Sequence, residues 1–247
     1  PTAATFLGDL GNDVGGTSLA TGNSILNYGG GGATSPAAGI RANNQWSANM
    51  SYNTINNNDG AGVNHTTTLR GIYGQAGLSG SVTINNNSVT IHGGATTSQV
   101  SAIENVIGST AASNTVNINN NTVTGDYLTA TSAIFYGIIN TATAANVFFI
   151  NNNVSNITYS NAALTGSGLF YGIFNNGAAT SVHARLNTVN NLTRTGTTGA
   201  NLIALYFSSG TTQTANNNTV TNINLSGTGA TGAVYGIQTT GTTVVCD

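Results

Sequence analysis

Only ten side chains in this 247-residue chain carry formal charge, namely Arg41, Arg70, Arg185 and Arg194 against Asp9, Asp13, Asp59, Glu104, Asp126 and Asp247. Cleaving a glycosidic bond asks for two carboxylates flanking one bond, one as acid and one as base or nucleophile. The acids here share no common spacing that would set them side by side. Asp59 follows Asn56-Asn57-Asn58, Asp126 lies more than one period beyond it, and Glu104 falls in another strand type. Gly8-Asp9-Leu10-Gly11-Asn12-Asp13 gathers oxygen ligands as a calcium loop does, but it occurs once and reads as a polar turn. His65, His92 and His183 share no repeat position and no metal-ligand spacing. Cys246 is the lone cysteine, so it forms no internal disulfide. No catalytic group, metal or cofactor is expected.

Lysine is absent and charged residues make up 4% of the chain. Phosphate recognition needs several Lys or Arg to displace counterions, so nucleic acid and a polybasic membrane contact are both excluded as partners. No run approaches about 18 apolar residues, so no membrane span is expected. What remains for chemistry is uncharged: hydroxyls, amides and a few tyrosines, whose effect depends on how the backbone arrays them.

The arraying signal is a repeat. Asn-(Ser/Thr)-(Val/Ile) recurs at Asn23, Asn53, Asn87, Asn121, Asn187 and Asn218, with Asn152-Asn153-Val154 in the remaining place, at steps of 30, 34, 34, 31, 35 and 31. A second phrase has the same period: Gly39-Ile40, Gly71-Ile72, Asn105-Val106, Gly137-Ile138, Gly172-Ile173, Leu205-Tyr206 and Gly236-Ile237. A third run, such as Ser81-Val82-Thr83-Ile84 and Thr115-Val116-Asn117-Ile118, completes the unit. Alternation of period two with β-branched residues favours strands, and a period near 33 divided by three leaves room for a strand of about five residues and a turn on each side. Units that bury their apolar side only against the next copy make a solenoid.

The expected fold is therefore all-β: a parallel β-helix with three strands per coil and about eight coils of roughly 33 residues, forming one domain over 1–247. Strands of the Gly-Ile type are expected near 5–8, 38–41, 69–73, 103–107, 134–139, 169–174, 202–207 and 233–238. The Asn triplets, such as 85–87 and 119–121, fall at one corner and are expected to stack as a hydrogen-bonded ladder. Arg70 and Glu104, 34 apart, are expected to lie over each other on adjacent coils.

Phe135-Tyr136-Gly137-Ile138, Phe170-Tyr171-Gly172-Ile173 and Val234-Tyr235-Gly236-Ile237 together with the Asn-Asn-x-(Ile/Val) corners give the chain a resemblance. It resembles the right-handed parallel β-helix repeats of large secreted bacterial surface proteins, of adhesin or secreted-fibre type. That resemblance implies an extracellular or cell-surface location. Such helices carry adhesins, secretion passengers, polysaccharide lyases and tail proteins alike, so the likeness speaks to architecture before activity.

Two outward arrays are candidate ligand surfaces. Tyr136, Tyr171 and Tyr235 share one position, where rings either stack on sugars or stabilise one another. On the Asn-x-Val strand, Thr54/Asn56, Ser88/Thr90, Thr122/Thr124, Asn153/Ser155, Thr188/Asn190 and Thr219/Thr221 flank the inward residue and project outward as a two-column plane. This plane resembles the Thr-x-Thr face of ice-binding solenoids. The expected function is a non-enzymatic structural or adhesive rod, part of a longer chain or a unit that stacks head to tail, with glycans or the cell envelope as partners. An ice-binding protein is the alternative, and a polysaccharide lyase or hydrolase the third.

Overall fold

The computed structural model describes residues 9–78, 80–109, 113–159, 168–196, 199, 201–227 and 231–246. Its strands follow one another in groups of three. The first turn holds β1 (Asp9–Val14), β2 (Ser24–Leu26) and β3 (Ala37–Asn43), and the second β4 (Gln45–Met50), β5 (Thr54–Asn56) and β6 (Leu69–Leu78). The third holds β7 (Ser81–Asn85), β8 (Ser88–Gly93) and β9 (Val100–Gly108), and the fourth β10 (Thr115–Asn119), β11 (Thr122–Tyr127) and β12 (Phe135–Asn140). The fifth holds β13 (Ala144–Ile150), β14 (Asn153–Tyr159) and β15 (Phe170–Asn175), and the sixth β16 (Ala179–Arg185), β17 (Thr188–Thr195) and β18 (Leu202–Phe207). The seventh holds β19 (Thr212–Asn216), β20 (Thr219–Ser226) and β21 (Val234–Thr239), after which β22 (Thr243–Cys246) opens a further turn.

Every third strand pairs in parallel, giving sheet A (β1 to β22, eight strands), sheet B (β2 to β20, seven) and sheet C (β3 to β21, seven). The molecule is a three-sided parallel β-solenoid of about seven turns. At about 4.8 Å between strands the seven turns rise roughly 34 Å. The strand expected near 5–8 lies outside the described residues. A single 3₁₀ turn at Leu19–Thr21 is the only helical element among the described residues.

Alternation explains the core. Val116 and Ile118 of β10 point inward and are fully buried, while Asn117 and Asn119 point out. Stacked above and below are Val82 with Ile84 and Val147 with Phe149, in unbroken register. Each such residue contributes about 1.5–3 kcal/mol of burial, provided a coil covers it on both sides.

The corner between sheets A and B requires one residue in the left-handed region. Tyr52, Asn86, Asn120, Asn151, Leu186 and Asn217 hold it with φ between 53° and 63°. Asparagine tolerates this conformation better than most residues, which accounts for Asn86, Asn120 and Asn217 in the middle of their triplets and for Asn151 at the start of its own. In sheet C the glycine of Tyr-Gly-Ile serves a close approach instead. A Cβ on Gly137 or Gly172 would lie 2.5 Å from a carbonyl oxygen of the next coil.

Two register assignments from the sequence need correction. Ile72 pairs with Ile103 and Ile173 with Leu205, so the counterparts of Gly-Ile are Ala102-Ile103 and Ala204-Leu205, not Asn105-Val106 and Leu205-Tyr206. Ile103 is fully buried whereas Val106 is only partly so, and burial sets the register where loop lengths vary. Consequently Arg70 lies over Ser101, and Glu104 lies over Tyr73.

Candidate functional site

The buried face of the A–B corner carries the asparagine ladder. Asn23, Asn53, Asn87, Asn121, Asn152, Asn187 and Asn218 form seven rungs, each donating through its side-chain nitrogen to the amide oxygen of the next at 2.8–3.1 Å. Their backbone N–H groups donate to the same oxygens, for example Asn121 N to Asn152 Oδ1 at 3.0 Å. A shorter ladder, Asn105 to Asn140 to Asn175, runs along the C–A corner with 2.8 Å steps. These amides saturate one another and leave no polar groove.

The outer face of sheet B holds the hydroxyl array. Thr54, Ser88, Thr122, Asn153, Thr188 and Thr219 fall in one register column, begun by Ser24. None of these side chains makes a hydrogen bond within the described protein, and all are exposed except the half-buried Thr188. The second column differs. Thr90 and Thr124 bond each other at 2.9 Å, Thr221 donates to Asn190 Oδ1 at 2.9 Å, and Ser155 is buried.

That second column is also interrupted. Val123 pairs with Val154 but Gly125 pairs with Ile157, so β14 carries one extra residue there. The insertion places Asn156 in the left-handed region, and Asn191 and Asn222 repeat it in the next two coils with φ of 52–55°. Their side chains form a third ladder on the surface, at 3.0 Å per step. The flat two-column plane thus extends over β5, β8 and β11, with paired hydroxyls on β8 and β11, and a bulged strip follows it.

A third column on this face, invisible as a repeat, pairs His92 with Asp126. Their side chains meet at 2.9 Å, and the hydrogen bond to Asp126 raises the His92 pKa above the usual imidazole value. The histidines and acids were set aside in the sequence because no phrase repeats through them. Only the coil-to-coil step of 34 residues joins these two.

Sheet C carries the tyrosines. Tyr136 and Tyr171 stack at 5.4 Å with planes 11° apart, and Phe174 and Tyr206 extend the stack at 4.8 and 5.1 Å. Tyr136, Tyr171 and Phe174 are each 8% exposed. Burial pushes the Tyr136 hydroxyl up to about 12, with the neighbouring Tyr171 and Glu104 adding to the effect. The ring faces that a sugar would use are occupied by other rings. Tyr235 shares the register position, but Ile203 stands between it and Tyr171.

Towards the N-terminal end the same face becomes polar. Arg70 Nε donates to Glu104 Oε2 at 2.7 Å, Gln99 and Ser101 add bonds to that oxygen at 2.8 and 2.7 Å, and Tyr73 lies under the guanidinium at 4.0 Å. The expected contact forms, but diagonally across the corrected register. All of the Glu104 partners are structural neighbours, so its carboxylate has no companion acid. Asp13 accepts from Gly16 N and Asn49 Nδ2 at 2.9 and 2.8 Å, but Asp9–Val14 is strand β1 and not the polar turn expected there; Gly8 and the Asp9 side chain lie outside the described residues.

Arg194, one of the four cations of the chain, is fully buried inside the solenoid, donating to the Gly168 carbonyl and lying 5.0 Å from the Tyr159 ring centroid. Among the described residues no group of three or more His, Cys, Asp or Glu side chains converges, and no helix is long and apolar enough to cross a membrane. No protein-family model matches the chain, and no curated protein and no solved structure resembles it at a significant level.

Proposed function

We propose that this chain is a non-enzymatic extracellular structural or adhesive protein, a stiff rod that stacks head to tail with other copies. The observation that supports this is the continuous stack of the described coils, in which Val82, Val116, Val147 and Val182 lie over one another, each at most 1% exposed. Val234, Ile237, Val244 and Val245 are 40–44% exposed. Glycans or a cell envelope are the partners this reading assigns to the uncharged sides.

Negative-stain microscopy and sedimentation test the assembly. End-to-end filaments are expected, and Ile237→Lys with Val245→Lys should disperse them into single rods. Dispersed rods of the unmodified chain at high concentration would defeat self-stacking.

A second reading, ice binding, is supported by the unpaired hydroxyl column on β5, β8 and β11, where Thr54, Ser88 and Thr122 have no protein partner and repeat at the strand spacing. Thermal hysteresis that is lost on Thr122→Tyr would establish it. The absence of hysteresis would leave the structural reading alone.

A further inference from the structure

The outer face of sheet A carries Asn and Thr on most coils, and two adjacent coils in the middle of the stack depart from that pattern. Where β7 and β10 place Thr83, Asn85, Asn117 and Asn119, β13 places Phe148 and Ile150, and β16 places His183 and Arg185. Thr214 and Asn216 restore the pattern on β19. Phe148 and His183 stack at 5.0 Å, and half-buried Ile150 lies beside the exposed Arg185. At the following corner Leu186 takes the left-handed conformation that Asn151 and Asn217 hold on the flanking coils, at φ 58° and with 55% of its surface exposed. A bulky apolar residue is strained there and gains no burial in return, so the fold does not account for Leu186.

The charge of this patch is also unanswered. Arg185 forms no ion pair with an acid among the described residues. Burial holds the His183 imidazole below its usual pKa, with the Arg185 charge adding to the effect, so a single positive charge stands beside Leu186 at neutral pH. A counterpart of opposite sign lies elsewhere on the rod. The loop after β5 carries Asp59, exposed and without a cationic partner among the described residues, and Val63, 54% exposed. Asp59 N donates to Asn27 Oδ1 at 3.1 Å and Asn58 Nδ2 to Asn64 Oδ1 at 2.8 Å, so the loop is held in shape before anything binds it. The two patches belong to the second and sixth coils, about 19 Å apart along the axis at the strand spacing, so they do not meet within one molecule.

We propose that these two patches bind each other between copies: the loop 59–63 of one rod docks on Phe148, Ile150, Arg185 and Leu186 of a neighbour, with Asp59 paired to Arg185 and Val63 packed on Leu186. The opposite charges select partner and register, and the apolar side chains supply the burial. A sugar is a poorer occupant, because one Phe148 face is taken by His183 and the remaining anchors are aliphatic. Since the two surfaces differ, the contact is heterologous and does not close, and it adds rods side by side with a stagger of four coils. This lateral contact rests on the reading that copies associate, and it is separate from the end-to-end one.

Sedimentation and negative-stain microscopy of the 247-residue chain test it. Laterally paired or bundled rods are expected. Arg185→Glu and Asp59→Arg each bring like charges together and should weaken the association roughly tenfold or more. Mixing the two variants should restore it, because each then meets only opposite charge on the other, and combining both changes in one chain should restore self-association. Leu186→Asn should raise the urea midpoint by relieving strain while weakening association, a split that a purely structural role would not produce. Bundling unchanged by either charge reversal, or no recovery on mixing, overturns the proposal. End-to-end filaments that never bundle would sink this inference alone; lateral pairs without filaments would sink head-to-tail stacking alone.

Discussion

The asparagine ladder stacks side-chain amides along one corner of the solenoid, most of them buried. Asn121 is 1% exposed, accepts from Asn87 N and Nδ2, and donates to the Ile84 carbonyl and Asn152 Oδ1. Asn121→Ala would leave several buried groups unpaired, so a loss of about 2–4 kcal/mol is expected in urea denaturation. The His92–Asp126 pair predicts a pH dependence of known sign. The folded pKa of His92 is raised, so its contribution is fully present below the unfolded value near 6.5 and fades as pH rises through the higher folded value. Both side chains are partly exposed, so the effect should be under about 1 kcal/mol. Asp126→Asn should abolish that slope between pH 5.5 and 8.5 in denaturation midpoints. The ladder was legible in the sequence because Asn recurs at each period. The ion pairs were less so: Arg70–Glu104 was anticipated in the wrong register, and His92–Asp126 occurs on one pair of coils only.

At the scale of elements, the corner conformation decides which substitutions are tolerated. Asn120, at φ 55°, is exposed and turns the chain from β10 into β11. Asn120→Gly should be nearly neutral, while Asn120→Val should cost about 1–2 kcal/mol, measured by urea midpoints. Gly125 is more demanding, with φ 144° and a hypothetical Cβ 1.9 Å from the Ile91 carbonyl oxygen. Gly125→Ala must therefore shift β8 or β11, and a loss of about 1–3 kcal/mol is expected, in keeping with strain at a sparsely populated backbone conformation. The strands themselves were legible from alternation and period. The bulge at Asn156, Asn191 and Asn222 was not, because one extra polar residue among many Asn and Thr leaves no trace until inward residues are paired across coils.

Across the whole molecule, stability depends on where a coil sits in the stack. Val154 and Val189 are fully buried between neighbouring coils, whereas Val220, at the same register position, is covered on one side only. Val→Ala should cost about 2 kcal/mol at 154 and 189 and less than half as much at 220, by denaturation of single rods. Equal losses at all three would mean that the end coil is already covered. The three-sided parallel solenoid was legible in the sequence alone, because a period near 33 with two-residue alternation gives each unit three short strands whose apolar side is buried by stacking on the next coil. Tertiary structure decided the rest. It set the register where loops vary, turned the tyrosine faces onto each other and left one hydroxyl column unpaired. Those outcomes depend on which side chain lies above which, a distance between coils that spacing along the chain does not fix.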